Sequence, residues 1–314
     1  MIGAIDIGGT KIAVGMVDDG GRVLAKLESP TDAKSGFPHA LKRISDMLRK
    51  TALSSNTKIT GIGIGCTGPV DPFSGEIGNV DFLPGWQGTN PVRELEKLFQ
   101  VQVAMENDAD AAALGEAGWG AGKGKPSLVY VTVGTGIGGG MIFNGSLYRG
   151  VDRSHPEIGH HVIDASGPDC FCGARGCWEV LARGPAMAEW VKQNAPAGYP
   201  HLEGLTGKRV CELAQGQDEL CRKAVEREAY YLGLGLANMI TLFSPDAIVL
   251  GGNVFGSASM YWETIRKTIR QNCGLVPFAK TELALASLGP DAALIGAARV
   301  WHHRFARTGG KGDA

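Results

Sequence analysis

Residues 2–17 read Ile-Gly-Ala-Ile-Asp-Ile-Gly-Gly-Thr-Lys-Ile-Ala-Val-Gly-Met-Val, with apolar stretches on both sides of Gly8-Gly9-Thr10. This pattern predicts a β-hairpin around a glycine turn. Further along, runs typical of strands alternate with runs typical of helices, which indicates the α/β class. The expected helices span about 38–53, 91–99, 179–194, 207–215, 218–242 and 291–306, with one more through 111–114, and the expected strands include 59–66, 101–105, 127–133 and 247–250.

The hairpin pattern returns in the second half of the chain. A shift of 125 places superposes Gly9, Thr10, Ile12, Gly15, Met16 and Gly20 on Gly134, Thr135, Ile137, Gly140, Met141 and Gly145. The repeat predicts two lobes that each open with a strand, a glycine turn and a returning strand. Their turns would face each other across a cleft and suit phosphate, because no Cβ obstructs the backbone N–H groups.

The composition is that of an ordinary globular protein, with 314 residues, 44% of them apolar and 20% charged. This length exceeds what one hydrophobic core usually serves. The formal net charge of −1 and the absence of long Lys/Arg runs argue against nucleic acid and membrane as partners.

No apolar run approaches the ~20 residues of a membrane span, and the N-terminus lacks a basic signal-peptide start, so a cytoplasmic location is expected. The tail at 309–314 is expected to be disordered.

The segment Asp6-Ile7-Gly8-Gly9-Thr10-Lys11 places a carboxylate, two glycines, a hydroxyl and an ammonium together at a strand end, which are groups that magnesium and phosphate require. The alternative is a plain Gly-Gly hairpin turn. The lobe opens with neither a Walker loop nor a Rossmann fingerprint. Gly134–Gly139 does match G-x-G-x-x-G, but it leads into a strand-like run and not a helix, which argues against a dinucleotide site.

Glu106-Asn107-Asp108 lies where a strand gives way to a helix. Asp108 could accept a proton from a substrate hydroxyl there. Alternatively, Asn107 or Asp108 caps the helix that follows, and both roles can hold together.

A cysteine cluster predicts a structural zinc site. His160, Cys170, Cys172 and Cys177 supply one imidazole and three thiolates, which fits closed four-coordinate zinc, and the glycines between the cysteines would let the chain fold tightly around the ion. Packed thiols are the alternative, and His161 could replace His160 as the ligand. The isolated cysteines, Cys66, Cys211, Cys221 and Cys273, are interpreted as packed thiols.

The chain resembles the ROK family (repressors, open reading frames and kinases) within the sugar kinase, actin and Hsp70 superfamily, nearly end to end. The resemblance implies an α/β fold of the two-lobed actin/hexokinase-like (ribonuclease H-like) type with a cleft between lobes. The motifs that carry it are Asp6–Lys11, Glu106-Asn107-Asp108, Val133–Gly140, Glu157-Ile158-Gly159-His160, the Cys-x-Cys-Gly-x-x-Gly-Cys-x-Glu run ending at Glu179, and Gly251-Gly252.

The resemblance also implies an ATP-dependent sugar kinase with Asp108 as the catalytic base. His160 would ligate zinc with one ring nitrogen and face the sugar with the other. The residues expected on the sugar are Asn79, Asn107, Asp108, Glu157, His160 and Glu179. Those expected around ATP and Mg²⁺ are Asp6, Gly8, Gly9, Thr10, Lys11, Gly134, Thr135, Gly136, Gly252 and Asn253.

Leu83-Pro84-Gly85-Trp86 looks like the segment found in the glucokinases of this family, so glucose phosphorylated on its 6-hydroxyl is the leading substrate. N-acetylglucosamine, N-acetylmannosamine and fructose remain alternatives.

The first lobe is expected at 1–118 with about 293–310, and the second at 119–292. A homodimer or homotetramer is expected.

Two rival functions share the fold. A ROK transcriptional repressor would need an N-terminal DNA-binding module, yet the phosphate motif begins at Asp6. A catalytically idle sugar sensor is opposed by the presence of both Asp6 and Asp108.

Overall fold

The computed structural model describes residues 1–306, apart from the side chain of Ala258. The chain divides into two compact units, the first formed by 1–126, 140–155 and the segment from 286 onward, the second by 127–139 and 156–285. The lobes predicted from the sequence have other boundaries and stay a prediction. The tail at 309–314, expected to be disordered, lies outside the described residues.

Strands and helices alternate as expected for an α/β protein. The strands are β1 (Ile2–Ile7), β2 (Lys11–Val17), β3 (Val23–Pro30), β4 (Gly61–Cys66), β5 (Val70–Asp71), β6 (Glu76–Ile77), β7 (Val103–Asn107), β8 (Leu128–Val133), β9 (Ile137–Phe143), β10 (Ser146–Leu147), β11 (Ala247–Gly251) and β12 (Glu282–Leu285). The α-helices are α1 (Phe37–Ser54), α2 (Pro91–Phe99), α3 (Asp108–Trp119), α4 (Trp178–Ala182), α5 (Gly184–Asn194), α6 (Gly207–Gln215), α7 (Glu219–Phe243), α8 (Trp262–Asn272) and α9 (Ala292–Phe305). Among the described helices, none combines the length and apolar character that crossing a bilayer requires.

The internal repeat predicted from the sequence is confirmed by the sheet topology. One sheet has the strand order β3-β2-β1-β4-β7 and the other β10-β9-β8-β11-β12. In each sheet the middle strand continues through a glycine turn into its neighbour, and on its other side two further strands run parallel to it. The superposed residues Gly9 and Gly134 occupy equivalent turns, after β1 and after β8.

Glycines on β4 determine how closely α9 packs in the first unit. Ile62 and Ile64 are fully buried in the core beside α1. Gly61 and Gly63 alternate with them on the opposite face, where a Cβ on Gly63 would collide with the carbonyl of Ala297 on α9. The glycine-interrupted strand predicted at 59–66 therefore has a packing reason: only glycine lets the helix backbone lie directly on the strand.

Helix α3 is fixed in turn by α9. A Cβ on Gly115 of α3 would lie 3.0 Å from the Cα of Gly296 on α9, so the two helices meet at small residues. The buried carboxylate of Glu116 accepts hydrogen bonds from the N–H groups of Ser287 and Leu288, just before α9. These contacts hold the helix that begins at Asp108.

The helix predicted at 179–194 is wrong as a single element. Arg183 has extended backbone (φ −77°, ψ 155°) and separates α4 from α5. Pro185 in the first turn of α5 has no N–H with which to continue a preceding helix. The N–H of Gly184 donates instead to the carbonyl of Gly134 (2.8 Å), which places the start of α5 on the second glycine turn.

Candidate active site

Two acidic side chains of the first unit lie at the carboxyl ends of parallel strands. Asp6 is near the end of β1 and Asp108 directly follows β7, with β4 between these strands and parallel to both. Gly65 of β4 is the register partner of Asp6, and a Cβ on it would lie 3.9 Å from Asp6 Oδ1 and 3.8 Å from Asp108 Cα. Glycine therefore keeps open the space between the two acidic residues.

The environment makes both carboxyl groups weaker acids than usual. Burial, followed by the negative charge of Asp108, raises the pKa of Asp6 to about 7, and Lys11 opposes the rise. Asp108 keeps an accessible surface, yet the surrounding protein desolvates it enough to raise its pKa, against the opposing effect of the Ala109 N–H. Two such groups suit a divalent cation, which relieves their repulsion, and a group with a raised pKa suits proton acceptance.

We expect Asp6→Asn to stabilise the protein at pH 8 when divalent cations are absent. Because the pKa of Asp6 lies near 7 in the folded protein, against about 3.8 in the unfolded chain, the folded state binds the extra proton between these pH values, and stability falls as pH rises through this window. At pH 8 the wild type carries a desolvated charge on a half-buried side chain, which the amide lacks. Urea denaturation should show a gain of about 1 kcal/mol or more at pH 8.

The same comparison at pH 4 should show a much smaller gain, because Asp6 is then neutral in the folded protein. Asp19→Asn is the matched control, since Asp19 is exposed and should show no comparable effect. An Asp6→Asn protein that is no more stable than wild type at pH 8 would mean that this carboxylate is well solvated.

The helix-capping role considered for Glu106-Asn107-Asp108 belongs to Asn107. Its Oδ1 accepts from the N–H of Ala109 at 2.8 Å, and Asn107 is the N-cap of α3. Asp108 Oδ1 reaches the same N–H at 2.8 Å. Since one donor serves both acceptors, the cap does not depend on Asp108.

The first glycine turn is exposed and tightly closed. The N–H of Gly8 donates to the carbonyl of Lys11 at 2.9 Å, and the Thr31 hydroxyl donates to the carbonyl of Gly8 at 2.6 Å. Gly9 and Thr10 are exposed. The Lys11 ammonium forms an exposed ion pair with Glu28 at 3.0 Å, and such a pair contributes only ~0–1 kcal/mol, so it leaves the ammonium able to exchange partners.

In the second unit, the other glycine turn rests on Glu179. The N–H of Gly134 donates to the carbonyl of Gly136 at 2.9 Å. Glu179 Oε2, in the first turn of α4, accepts from the N–H of Ile137 at 2.9 Å. A Cβ on Gly136 would overlap the Glu179 carboxylate, so glycine is required for this contact.

His160 connects Glu179 to the cysteine cluster. Its Nε2 lies 4.0 Å from Glu179 Oε1, while its Nδ1 lies 3.5 Å from Cys170 Sγ. The ligand atoms of His160, Cys170, Cys172 and Cys177 all lie within 4.8 Å of one another. His161 is differently engaged, since its Nδ1 contacts the carbonyl of Ile158 at 2.6 Å.

The four donors fit tetrahedral zinc. Zn–S bonds of ~2.3 Å with tetrahedral angles place sulfur atoms about 3.8 Å apart, and a Zn–N bond of ~2.0 Å brings nitrogen slightly closer to sulfur. Cys172 Sγ and Cys177 Sγ are 3.6 Å apart, and Cys170 Sγ is 3.5 Å from His160 Nδ1. The donor set therefore matches the size and the chemistry of this ion.

A cavity of about 620 Å³ in the second unit begins at the second glycine turn. Gly134 and Thr135 form one part of its wall and Asn253 another. Gly252 has φ +92°, and a Cβ on it would overlap the backbone of Val133, so this chain path needs glycine. Volume and lining suit a ligand with a polar end at the turn and an apolar body.

Among the described residues, the structure shows no side-chain hydrogen bond or ion pair that joins Asn79 or Glu157 to the other residues predicted to bind the sugar. Asn79 is exposed shortly after β6, and the exposed Glu157 contributes its carbonyl to the N–H of His160 at 3.0 Å. Their roles remain predictions.

Comparison with known proteins identifies the family of this chain. The model of the ROK family matches residues 2–304. The chain belongs to the ROK family. The glucokinase of Halalkalibacterium halodurans is 33% identical over 308 residues, which cover 93% of this chain and 92% of that protein.

Two solved structures of the ROK family are similar over almost their full length. The ROK hexokinase from Thermus thermophilus has a TM-score of 0.85 and 34% identity, covering 98% of this chain and 99% of that one. The ROK glucokinase from Streptomyces griseus, solved with glucose and AMPPNP, has a TM-score of 0.78 and 31% identity, covering 96% and 99%. The predicted two-lobed actin/hexokinase-like α/β fold is thereby confirmed.

Sequence reasoning missed part of the cavity wall and a charged cluster in which Arg149 contacts Glu106 and Asp110. Pro185 and Lys192 from α5, Lys208 from α6 and Tyr261 also line the cavity. The one sequence signal near these residues is Gly184-Pro185, which is typical of a helix start. The prediction of one helix over 179–194 ignored this signal. Arg149 and Asp110 were missed because charged side chains are usually exposed, and no neighbouring residue in the sequence signals that these two are buried.

Proposed function

We propose that the protein is an ATP-dependent glucokinase that transfers the γ-phosphoryl group of ATP to the 6-hydroxyl of glucose. The observation that carries this proposal is the pair Asp6 and Asp108 at the carboxyl edge of one sheet, separated by Gly65. The pair offers one carboxylate for a cation and one for the substrate hydroxyl. The glucokinase and hexokinase relatives support the choice of reaction.

Asp108 acts as the base in this proposal. Its raised pKa brings proton affinity closer to that of a working base, while its accessible surface leaves room for a hydroxyl. Phosphoryl transfer through a loose transition state needs little nucleophilic push, so Asp108 mainly orients the hydroxyl and accepts its proton late. Asn107 holds the start of α3 and thus the direction of the neighbouring carboxylate.

In this proposal, backbone N–H groups of the glycine turns bind the phosphates of the nucleotide, and the cavity of the second unit binds its adenosine. In the first unit Gly8, Gly9, Thr10 and Lys11 would contact phosphate. Asp6 would hold Mg²⁺, and this ion would supply positive charge for the phosphoryl oxygens. In the second unit Gly134, Thr135 and Gly136 would offer further N–H groups. The 620 Å³ cavity, with Gly252 and Asn253 at its edge, would take adenosine.

The sugar would be held by Glu157, His160 and Glu179, together with Asn79, Asn107 and Asp108. Zinc bound by His160, Cys170, Cys172 and Cys177 would be structural, since four protein donors leave no position for water. With Nδ1 facing the sulfur atoms, Nε2 of His160 stays on the Glu179 side. His160 thereby orients its second nitrogen toward a ligand hydroxyl.

We expect glucose to give the highest kcat/KM among common hexoses. The reason is the Leu83-Pro84-Gly85-Trp86 segment together with the glucokinase relatives. ADP release with ATP should be measured across glucose, fructose, mannose, N-acetylglucosamine and N-acetylmannosamine. A preference for an N-acetylated hexosamine would overturn glucose and keep the kinase, whereas no ADP release with any hexose would overturn the kinase itself.

A cytoplasmic location and a homodimeric or homotetrameric state complete the proposal. Light scattering on the purified protein measures the second of these directly. A monomer at micromolar concentration would contradict it.

A further inference from the structure

Arg149 bridges two carboxylates, those of Glu106 and Asp110, which flank Asp108 in the chain. One terminal nitrogen, Nη1, lies 2.5 Å from Asp110 Oδ2, and the other, Nη2, contacts Glu106 Oε2. The side chains are 13%, 1% and 7% exposed for Arg149, Asp110 and Glu106. The guanidinium thus bridges two buried carboxylates, which is a geometry that its planar pair of N–H groups matches.

Two further side chains complete this cluster, all within the first unit. His155 Nδ1 lies 2.8 Å from the same Asp110 Oδ2, and Arg304 Nη2 lies 3.7 Å from Glu106 Oε1. The pKa of Glu106 is raised to about 7 by burial, with Arg149 opposing the rise. The cluster is therefore desolvated, and its geometry depends on the guanidinium.

The bridged residues flank Asp108 symmetrically in the chain. Glu106 precedes it by two positions at the end of β7, and Asp110 follows it by two positions in the first turn of α3. The backbone between them must turn from strand to helix at Asn107. Because the planar guanidinium of Arg149 is hydrogen-bonded on both sides of this junction, it restricts how the junction can bend.

We propose that Arg149 is a positioning residue that fixes the strand-to-helix junction and thereby aims the carboxylate of Asp108. This inference rests on the proposed kinase function. A cluster kept only for stability is a poor explanation, because well-packed apolar side chains usually stabilise a buried position as well as or better than ions do. What apolar residues cannot supply is the fixed two-point hydrogen-bond geometry.

The test compares Arg149→Met, Arg149→Lys and the control Arg22→Met. Arg22 lies in the same unit, and its largely exposed side chain forms an ion pair with Asp18. Arg149→Met should lower kcat by about 10- to 100-fold, because a displacement of ~1 Å at a reacting group costs that much. KM for sugar and for ATP should change less than about threefold. Arg149→Lys keeps the charge but not the fork, so its kcat should lie between those of wild type and Arg149→Met.

Amide hydrogen exchange provides the second measurement and does not need activity. Exchange should become faster at residues 106–111 in Arg149→Met and Arg149→Lys, and stay unchanged in Arg22→Met. If Arg149→Met does not fold, Arg149→Lys decides. Normal kcat with unchanged exchange in Arg149→Lys would overturn the positioning role, as would a rise in KM at constant kcat.

The two proposals fail in different ways. A wild-type protein that phosphorylates no hexose overturns the kinase, and exchange at 106–111 still decides whether Arg149 holds the junction. An active wild type whose Arg149 variants match it in kcat overturns only the role of Arg149.

Discussion

Asp108→Asn is expected to lower turnover by at least ~10², the typical effect of losing a general base, while sugar affinity stays nearly unchanged. The amide keeps the shape of the side chain but cannot accept the proton of the substrate hydroxyl. The fold should tolerate the change, because Asn107 already caps α3. Steady-state kinetics with ATP and the best hexose, beside a sugar titration followed by tryptophan fluorescence, separates the two effects.

Asp19→Asn is the matched control for this variant, since Asp19 carries the same carboxylate in an exposed position. It should keep wild-type turnover. Should Asp108→Asn also keep wild-type turnover with normal folding, Asp108 would be only a second contact to the α3 N-terminus and the proposed mechanism would be wrong.

The purified protein is expected to contain about one zinc per chain, and Cys172→Ser should lose the metal and bind sugar at least ~10-fold more weakly. Cys172 is exposed and need not touch the sugar. Its effect would pass through His160, whose Nδ1 faces the sulfur cluster and whose Nε2 faces Glu179. Because the binding energy of structural zinc is folding energy, the loop between 157 and 179 should also become easier to cleave by protease.

Metal analysis and sugar titration on the same preparations test both parts of this prediction. Cys273→Ser is the control: Cys273 is buried outside the cluster, and a serine could keep the hydrogen bond to the Ala237 carbonyl. Metal-free wild type that phosphorylates at full rate, or Cys172→Ser with normal sugar affinity, would show that these cysteines merely pack.

The sequence alone was sufficient for features whose cause is local. Each glycine turn, at Gly8-Gly9 and at Gly134, follows from residues that lie close together in the chain, and the match between these two local patterns reveals the repeat. The spacing of Cys170, Cys172 and Cys177 within one loop predicted a cluster that the structure brings together with His160. Helix ends were predicted well where a cap or proline marks them, as at Pro91.

The sequence patterns did not predict the strand β12 or the boundary between the helices α4 and α5. The strand β12 was missed because its four residues are only partly buried and show no clear alternation. The helix α4 was merged with α5 because the apolar pattern continues across Arg183. The interruption is set by the contact of Gly184 with Gly134, fifty positions earlier.

Only the tertiary structure decided which distant groups meet. The pairing of β1 with β4 and of β4 with β7 buries Asp6 and places it near Asp108 across Gly65, and burial, with a smaller contribution from the charge of Asp108, raises the pKa of Asp6. The fork of Arg149 onto Glu106 and Asp110 likewise joins segments about forty residues apart. The physical reason is that turns and caps depend on neighbouring backbone dihedrals, whereas desolvation and ion pairing depend on which elements pack together, and many alternative packings are compatible with the same local pattern.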